Sequence, residues 1–364
     1  MKAMEQLVTV PGRVNLIGEH IDYHNLPVLP MAIGRRIRVS FAPRGDRRIR
    51  AVSRGFGERE FEWTARLEPE GPGDWANYVK AAAQAVADRW GLGCGLDARV
   101  ESDLPPAAGL ASSSALLVAF TLALLRVNGI RAGFPELMEV LPEAEYFVGT
   151  RGGGMDHAAV LASRAGCALL VHFAPAGAEP VPVPGDWAFL VAHSLATAEK
   201  SSGVKAEYNA RRAAGNRALE KLGYASYREA RAGDPERLAD GERDAFLHVT
   251  GERERVAAAV RAMRDGDAAA FGRLLNESHD SLRDRLRVSS PALDRLVEMA
   301  REEGALGARL TGAGFGGCAV IFTRAEERGR IASALAERYY AGRPEFRPET
   351  HLMAAEPAAG ALYE

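Results

Sequence analysis

PGRVNLIGEHIDYHNLPVLPMAI, Pro11 to Ile33, sets charged and hydrogen-bonding residues among strongly apolar ones. Arg13, Asn15, Glu19, His20 and Asp22 are interleaved with or directly follow Val14, Leu16 and Ile17. An ordinary core strand does not carry such a set, because buried polar groups are costly unless each finds a partner. The cluster must hold something, and the rest of the chain has to say what.

The neighbouring sequence supplies a frame. LVTVPGRVNLIG reads as a short strand running into a loop with Pro11, Gly12 and Gly18; VLPMAIGRRIRVSFAP and RRIRAVS alternate like antiparallel strands. Helical spacing over Trp75–Trp90 ends at Gly91, a natural stop. CGLDARVESDLPPAAG gives strand, turn and a small-residue loop, and SSSALLVAFTLALLRV follows as a buried helix. APAGAEPVPVPG, Ala174 to Gly185, is either a hairpin tip or a domain hinge. Ser201–Leu222 and Ala245–Leu286 are amphipathic and Arg-rich, and GARLTGAGFGGCAVIFT is strand-like before a final helix and strand. The chain shows no fixed-period repeat, and the pattern predicts an α+β fold in two parts.

Composition agrees. A chain of 364 residues exceeds one compact core. With 47% apolar and 26% charged residues it is an ordinary globular chain. A net charge of -2 offers no positive excess for phosphate polyanions, which argues against general binding to nucleic acid or to a membrane surface. Cys94, Cys167 and Cys318 are few and far apart, as expected of reduced thiols in a cytoplasmic protein rather than a disulfide framework or zinc site. The start lacks an h-region of signal-peptide length. The most apolar run, Ala115–Leu125, is too short to span a bilayer.

Three further stretches bear on chemistry. In DLPPAAGLASSSALL, Asp103 to Leu117, the small residues Ala107, Ala108, Gly109 and Ala111, with Leu110 among them, lead into Ser112, Ser113 and Ser114 at a predicted helix start. Such a start favours a bound anion through its free N–H groups and dipole. Serines there equally serve as plain caps. The chain has no Gly-Lys pair, so a Walker-type phosphate loop is excluded. ARLTGAGFGGCAVIF carries Gly312, Gly314, Gly316 and Gly317, a poor dinucleotide fingerprint that reads first as a glycine-rich turn. Gly152, Gly153 and Gly154 allow close packing and deliver Asp156 to the start of a helix-like segment, where it is a helix cap or a functional carboxylate.

Taken in order, these motifs carry a resemblance that no one of them would carry alone. PGRVNLIGEHIDYHNLPVLP resembles the galactokinase signature, GLASSSA the ATP loop of the GHMP kinases, and LTGAGFGGC their third motif. WANYVKA is similar to the segment lining the adenine pocket, and EYNARR and SHDSLRDRLRVSSPALDRLV continue the similarity over nearly the whole chain. The resemblance implies a two-domain GHMP kinase fold, here 1–185 and 186–364, with the active site in the interdomain cleft. It implies ATP with Mg2+ and a small-molecule sugar, galactose or a close relative. Asp156 is then the catalytic carboxylate with Arg13 beside it. Glu19, His20, Asp22, Gly153 and Tyr208 face the sugar. Trp75, Tyr78 and residues 109–114 bind ATP, and Ser113 and Glu145 ligate the metal. Many galactokinases place that acid one position earlier, where this chain has Ala144.

The opening cluster then has a reason: a sugar presents hydroxyls in fixed directions, and a site built to bond them rejects an analogue lacking one. The bland alternative, surface pairing of Glu19 and Asp22 with Arg35 and Arg36, would contribute little. Phosphoryl transfer asks mainly for alignment and charge compensation; Arg13 supplies the latter and favours an ionised Asp156. His24-Asn25-Leu26-Pro27 stands where bacterial relatives have an Asn-Gly-Gly-like turn. EHIDY and GT-x-GGGMD resemble the eukaryotic galactokinases and N-acetylgalactosamine kinase, whereas Tyr208 matches galactokinase. Alternatives are another sugar 1-kinase or a silent sugar/ATP sensor; a mevalonate-type kinase fits the GEHIDY segment least.

Overall fold

The computed structural model describes residues 6–105, 108–149, 152–196, 202–231 and 235–362. The opening stretch does not form a short strand and a loop. Its first residues, through Ile17, are the second half of one long strand, β1 (Gln6–Ile17), with Pro11 and Gly12 inside it. The pairing of β1 with β2 (Leu29–Pro43) shifts register between Pro11 and Arg13 and again between Asn15 and Ile17. Such irregularities accommodate a proline that has no N–H for the ladder, and they re-aim side chains. The Arg13 amide donates to Leu110 O at 3.1 Å, tying β1 to the small-residue loop.

β2 is buried continuously from Leu29 to Ile33, then alternates with Ile37, Val39 and Phe41 inward. β3 (Arg48–Ser53), β4 (Gly57–Glu62) and β5 (Leu96–Ser102) complete a five-stranded sheet in the order β1-β2-β5-β3-β4, antiparallel except for β3 beside β5. Helix α1 (Ala76–Trp90) packs on α2 (Ser112–Val127), which lies against β1 and β2. α2 is buried continuously from Ser114 to Leu125, the all-round apolar pattern of a core helix. α3 (Phe134–Ala144) and α4 (Met155–Ala162) follow.

The Pro/Gly/Ala-rich stretch is largely a hairpin: β6 (Cys167–Phe173) pairs with β7 (Ala176–Pro182). The chain then passes to β8 (Trp187–His193), a strand of a different sheet. Helices α5 (Ser202–Leu222), α6 (Asp240–Asp265), α7 (Ala268–Ser281) and α8 (Pro291–Glu302) precede β9 (Gly307–Leu310) and β10 (Cys318–Arg324). α9 (Arg328–Arg338), α10 (Pro348–His351) and β11 (Leu352–Ala354) end the described fold. The second sheet is antiparallel, ordered β11-β8-β10-β9. The predicted run Ala245–Leu286 is broken where Gly266 turns left-handed and Asp267 caps α7 through Ala270 N.

The two halves are knit together. α6 and α7 contact β1, and the chain's last described residues cross back to the first half. Ala358 N donates to Ala32 O and Gly360 N to Ser163 O, so residues expected in the second unit dock on the first. Among the described residues no helix is long and apolar enough to cross a membrane.

Candidate active site

The end of β1, the start of α2, the start of α4 and the β9–β10 loop all open on one cavity. Ala111 precedes α2 in a left-handed conformation, with no side-chain cap there. Ser112, Ser113 and Ser114 occupy the first turn and line the cavity with Gly109 and Ala111. Ser114 Oγ donates to Glu145 Oε1 at 2.6 Å, which fixes the carboxylate. Pro106, Ala107, Thr150 and Arg151, within the quoted motifs, lie outside the described residues.

Arg13 joins this end of the cavity to the next. Its Nη1 donates to Gly109 O at 2.6 Å, and its Nε and Nη2 reach Asp156 Oδ1 at 2.7 and 2.6 Å. Asp156 sits in the first turn of α4, and its side chain keeps 27% exposure while Arg13 is almost wholly buried. A carboxylate held by a cation and still open to the cavity can receive a proton from a ligand in place.

The glycine triplet explains how α4 comes this close. A side chain at Gly153 would lie 2.3 Å from the backbone of Asp22 and Tyr23. Gly153 N instead donates to Asp22 Oδ2 at 3.2 Å. Burial first, then the charge of Asp156, push the Asp22 carboxyl up to about 6. Glu19 accepts from Gly312 N at 3.0 Å and faces the guanidinium of Arg309. Burial raises its carboxyl to about 7 against the pull of Arg309. Neither acid pairs with Arg35 or Arg36: Arg35 reaches Glu349 O, and the Arg36 amide reaches Asp103.

His20 is held left-handed at φ 62°. Its Nε2 lies 3.1 Å from Ala313 O, which can only accept, so Nε2 carries the proton and Nδ1 accepts from Tyr23 O–H at 2.9 Å. Burial lowers its pKa to about 3, keeping the ring neutral. His20 lines the cavity, and both its ring nitrogens are engaged, with Tyr23 and with the glycine-rich loop. Tyr208 packs against the rings of His20 and Tyr23, with centroids 5.2 and 5.7 Å away.

Residues 2–43 match the galactokinase galactose-binding signature, 77–164 the GHMP kinases N terminal domain and 259–341 the GHMP kinases C terminal model. A galactokinase of Chloroflexus aurantiacus is 35% identical over 349 residues, 92% of this chain and 88% of that one. This chain belongs to the galactokinase family of GHMP kinases. A galactokinase of Thermotoga maritima is also 35% identical, over 91% of this chain and 93% of its own. The crystal structure of Lactococcus lactis galactokinase complexed with galactose superposes with a TM-score of 0.88 at 26% identity, covering 98% and 94% of the two chains. Methanococcus jannaschii mevalonate kinase, at TM-score 0.68 and 16% identity, shares the fold.

Within this family frame, not every expected residue reaches the cavity. Tyr78 lines it, but Trp75 turns its indole N–H to Phe56 O at 3.3 Å. Leu110 is buried behind the loop. Of the third-motif glycines only Gly312 lines the cavity, beside Ala313. Gly314 shapes the turn instead: its φ is 83°, and a side chain there would meet Val288 O at 2.1 Å. Asn209 and His157 line the cavity and were not anticipated. Asn209 is adjacent to Tyr208 in the quoted EYNARR, and His157 follows Asp156. Arg309 was also passed over, although a charged residue inside the apolar strand GARL is itself a signal.

Proposed function

We propose that the protein is an ATP-dependent galactose 1-kinase, converting galactose and ATP to galactose 1-phosphate and ADP. The observation that carries this reading is the Arg13–Asp156 pair, which joins the serine-lined helix start to the pocket of Glu19, Asp22 and Tyr208. In this reading the nucleotide's phosphates lie at residues 109–114, where unpaired N–H groups and the helix dipole compensate their charge. Asp22 and Glu19 accept hydrogen bonds from ring hydroxyls, and Tyr208 packs against the sugar. Asp156 receives the proton of the anomeric hydroxyl as its oxygen attacks the γ-phosphoryl group and ADP departs. Arg13 holds Asp156 in line and offsets charge on the moving phosphoryl.

Ser113 and Glu145 would hold Mg2+. Both offer oxygen, the donor a hard cation takes, and Glu145 Oε2 borders the open space at Gly152. The described residues include no cluster of three acidic, His or Cys side chains for a metal, so phosphate oxygens would complete its shell. When bound, the ion supplies neutralisation of phosphate charge. The free cysteines support a cytoplasmic setting. The switch of sheets between Pro182 and Trp187 supports a domain boundary near residue 185, with residues 357–362 returning to the first domain.

The test is ADP release with galactose, N-acetylgalactosamine, glucose, galacturonate and arabinose. Galactose is expected to give the highest kcat/KM. A different preferred sugar overturns the substrate, and sugar binding without ADP release from any of them overturns the kinase.

A further inference from the structure

After Trp63, Arg309 is the largest wholly buried side chain among the described residues. It projects from β9 across the boundary between the halves. Its Nη1 donates to Leu16 O at 2.9 Å and to Asn15 O at 3.3 Å, and its Nη2 faces Glu19 Oε2. Nη2 and Oε2 form a wholly buried ion pair, while Glu19 Oε1 accepts from Gly312 N at 3.0 Å. Other groups of the second half hold the same corner. His248 Nε2 lies 3.0 Å from Glu19 O, Glu252 accepts from Gly18 N at 2.9 Å, and Thr311 Oγ1 accepts from Asn15 N at 2.9 Å. The sugar-facing end of β1 is thus fastened by buried polar groups of α6 and β9.

A lone carboxylate in so dry a place would take up a proton. Protonated, Glu19 would turn one oxygen from acceptor to donor and present the wrong pattern to a hydroxyl. We propose that Arg309 is a positioning residue for the sugar, its guanidinium keeping Glu19 an ionised, fixed acceptor and so governing sugar affinity rather than phosphoryl transfer. The inference rests on the galactose 1-kinase reading and deepens its sugar side.

The charged and titratable groups around Glu19 are His20 and Asp22 on its own segment, Arg309 from β9, and His248 and Glu252 from α6, with Arg255 behind. Burial keeps His20 and His248 neutral, at about 3 and 4. Burial works against ionised Glu252, but Arg255 leads the groups that pull it down to about 2. Glu19, at about 7, and Asp22, at about 6, are therefore the groups that titrate near neutrality. Because protonation turns one acceptor oxygen into a donor in Glu19, and likewise in Asp22, which faces Asp156 of α4, galactose affinity falls as pH drops through that window.

The experiment measures kcat and both KM values from about pH 5.5 to 8.5 for the unmutated protein, Arg309→Gln, Arg309→Lys, Glu19→Gln and the Glu19→Gln/Arg309→Gln double variant. Arg309→Gln should raise the galactose KM by about tenfold or more at neutral pH, the weight of one charge-assisted bond. It should move the acid limb of galactose affinity to higher pH and leave the ATP KM within about twofold. Arg309→Lys should recover part of the loss. Glu19→Gln, which leaves Arg309 in its strand, should abolish the upper step, and the double variant should be no worse than the poorer single one. An unshifted acid limb, equal changes in both KM values, or additive effects in the double variant would overturn the proposal. An unmutated protein that does not phosphorylate galactose would sink the functional reading instead, a distinct outcome.

Discussion

At the sugar-signature end of the cavity His20, Asp22 and Glu19 are each held by the protein itself, whereas the α2 end offers a helix start with no side-chain cap. His20 uses both ring nitrogens, Asp22 accepts from Gly153 N, and Glu19 is gripped by Gly312 and Arg309. At the other end α2 begins without a side-chain cap, and the buried His157 sets its Nε2 3.5 Å from Glu145 Oε1. The contrast matches what each end would have to recognise. Reading hydroxyl directions requires acceptors fixed beforehand, while a polyphosphate brings strong acceptors of its own to unpaired donors.

The largest effect expected is at the junction of the two ends. Asp156→Asn should lower kcat by about 10²–10⁴ while the ATP dissociation constant stays nearly unchanged; near-normal turnover would remove Asp156 from the chemistry. Gly153→Ala attacks only the pre-built end. Its methyl group would collide with the Asp22 backbone, and overpacking of about 1–3 kcal/mol should weaken galactose binding about tenfold. If both substrates weaken alike, the two ends are not independent.

A third test concerns the fastening of the sugar end. Glu252, buried and held at about 2, favours the folded state above its unfolded value of 4.5, and that contribution is lost as pH falls from there towards 2. Glu252→Gln should cost about 1–3 kcal/mol at neutral pH and flatten the loss of stability in acid, as followed by denaturant unfolding. An unchanged acid slope would show that the fastening does not depend on this charge. The smallest effect belongs to Ser114→Ala, which frees Glu145. A rise of a few-fold in the magnesium concentration for half-maximal rate, about the value of one hydrogen bond, should leave the galactose KM alone.

Local patterns made much of this legible. The helix start at Ser112, the stop at Gly91, the alternation of β2 and the delivery of Asp156 to a first turn each follow from residues near in sequence. Where the reading fell short, the deciding partner lay far along the chain. β1 continues through Pro11 and Gly12 because β2 tolerates the register shifts. The amides of the last described residues donate to the carbonyl oxygens of Ala32, Val160 and Ser163, in the first half. The partner of His20 Nε2, Ala313, is 293 positions away, beyond the reach of any local pattern.

The order of the motifs, the residue types at 13, 19, 22 and 156 and the family they mark were therefore fixed by sequence alone, since composition and short-range spacing are local properties. Which of those groups would be charged, which spent and which left open was decided only by the tertiary structure. Burial and the arrival of Arg309, Gly312 and Gly153 from distant segments set the electrostatic surroundings of each side chain, and no local pattern carries that information.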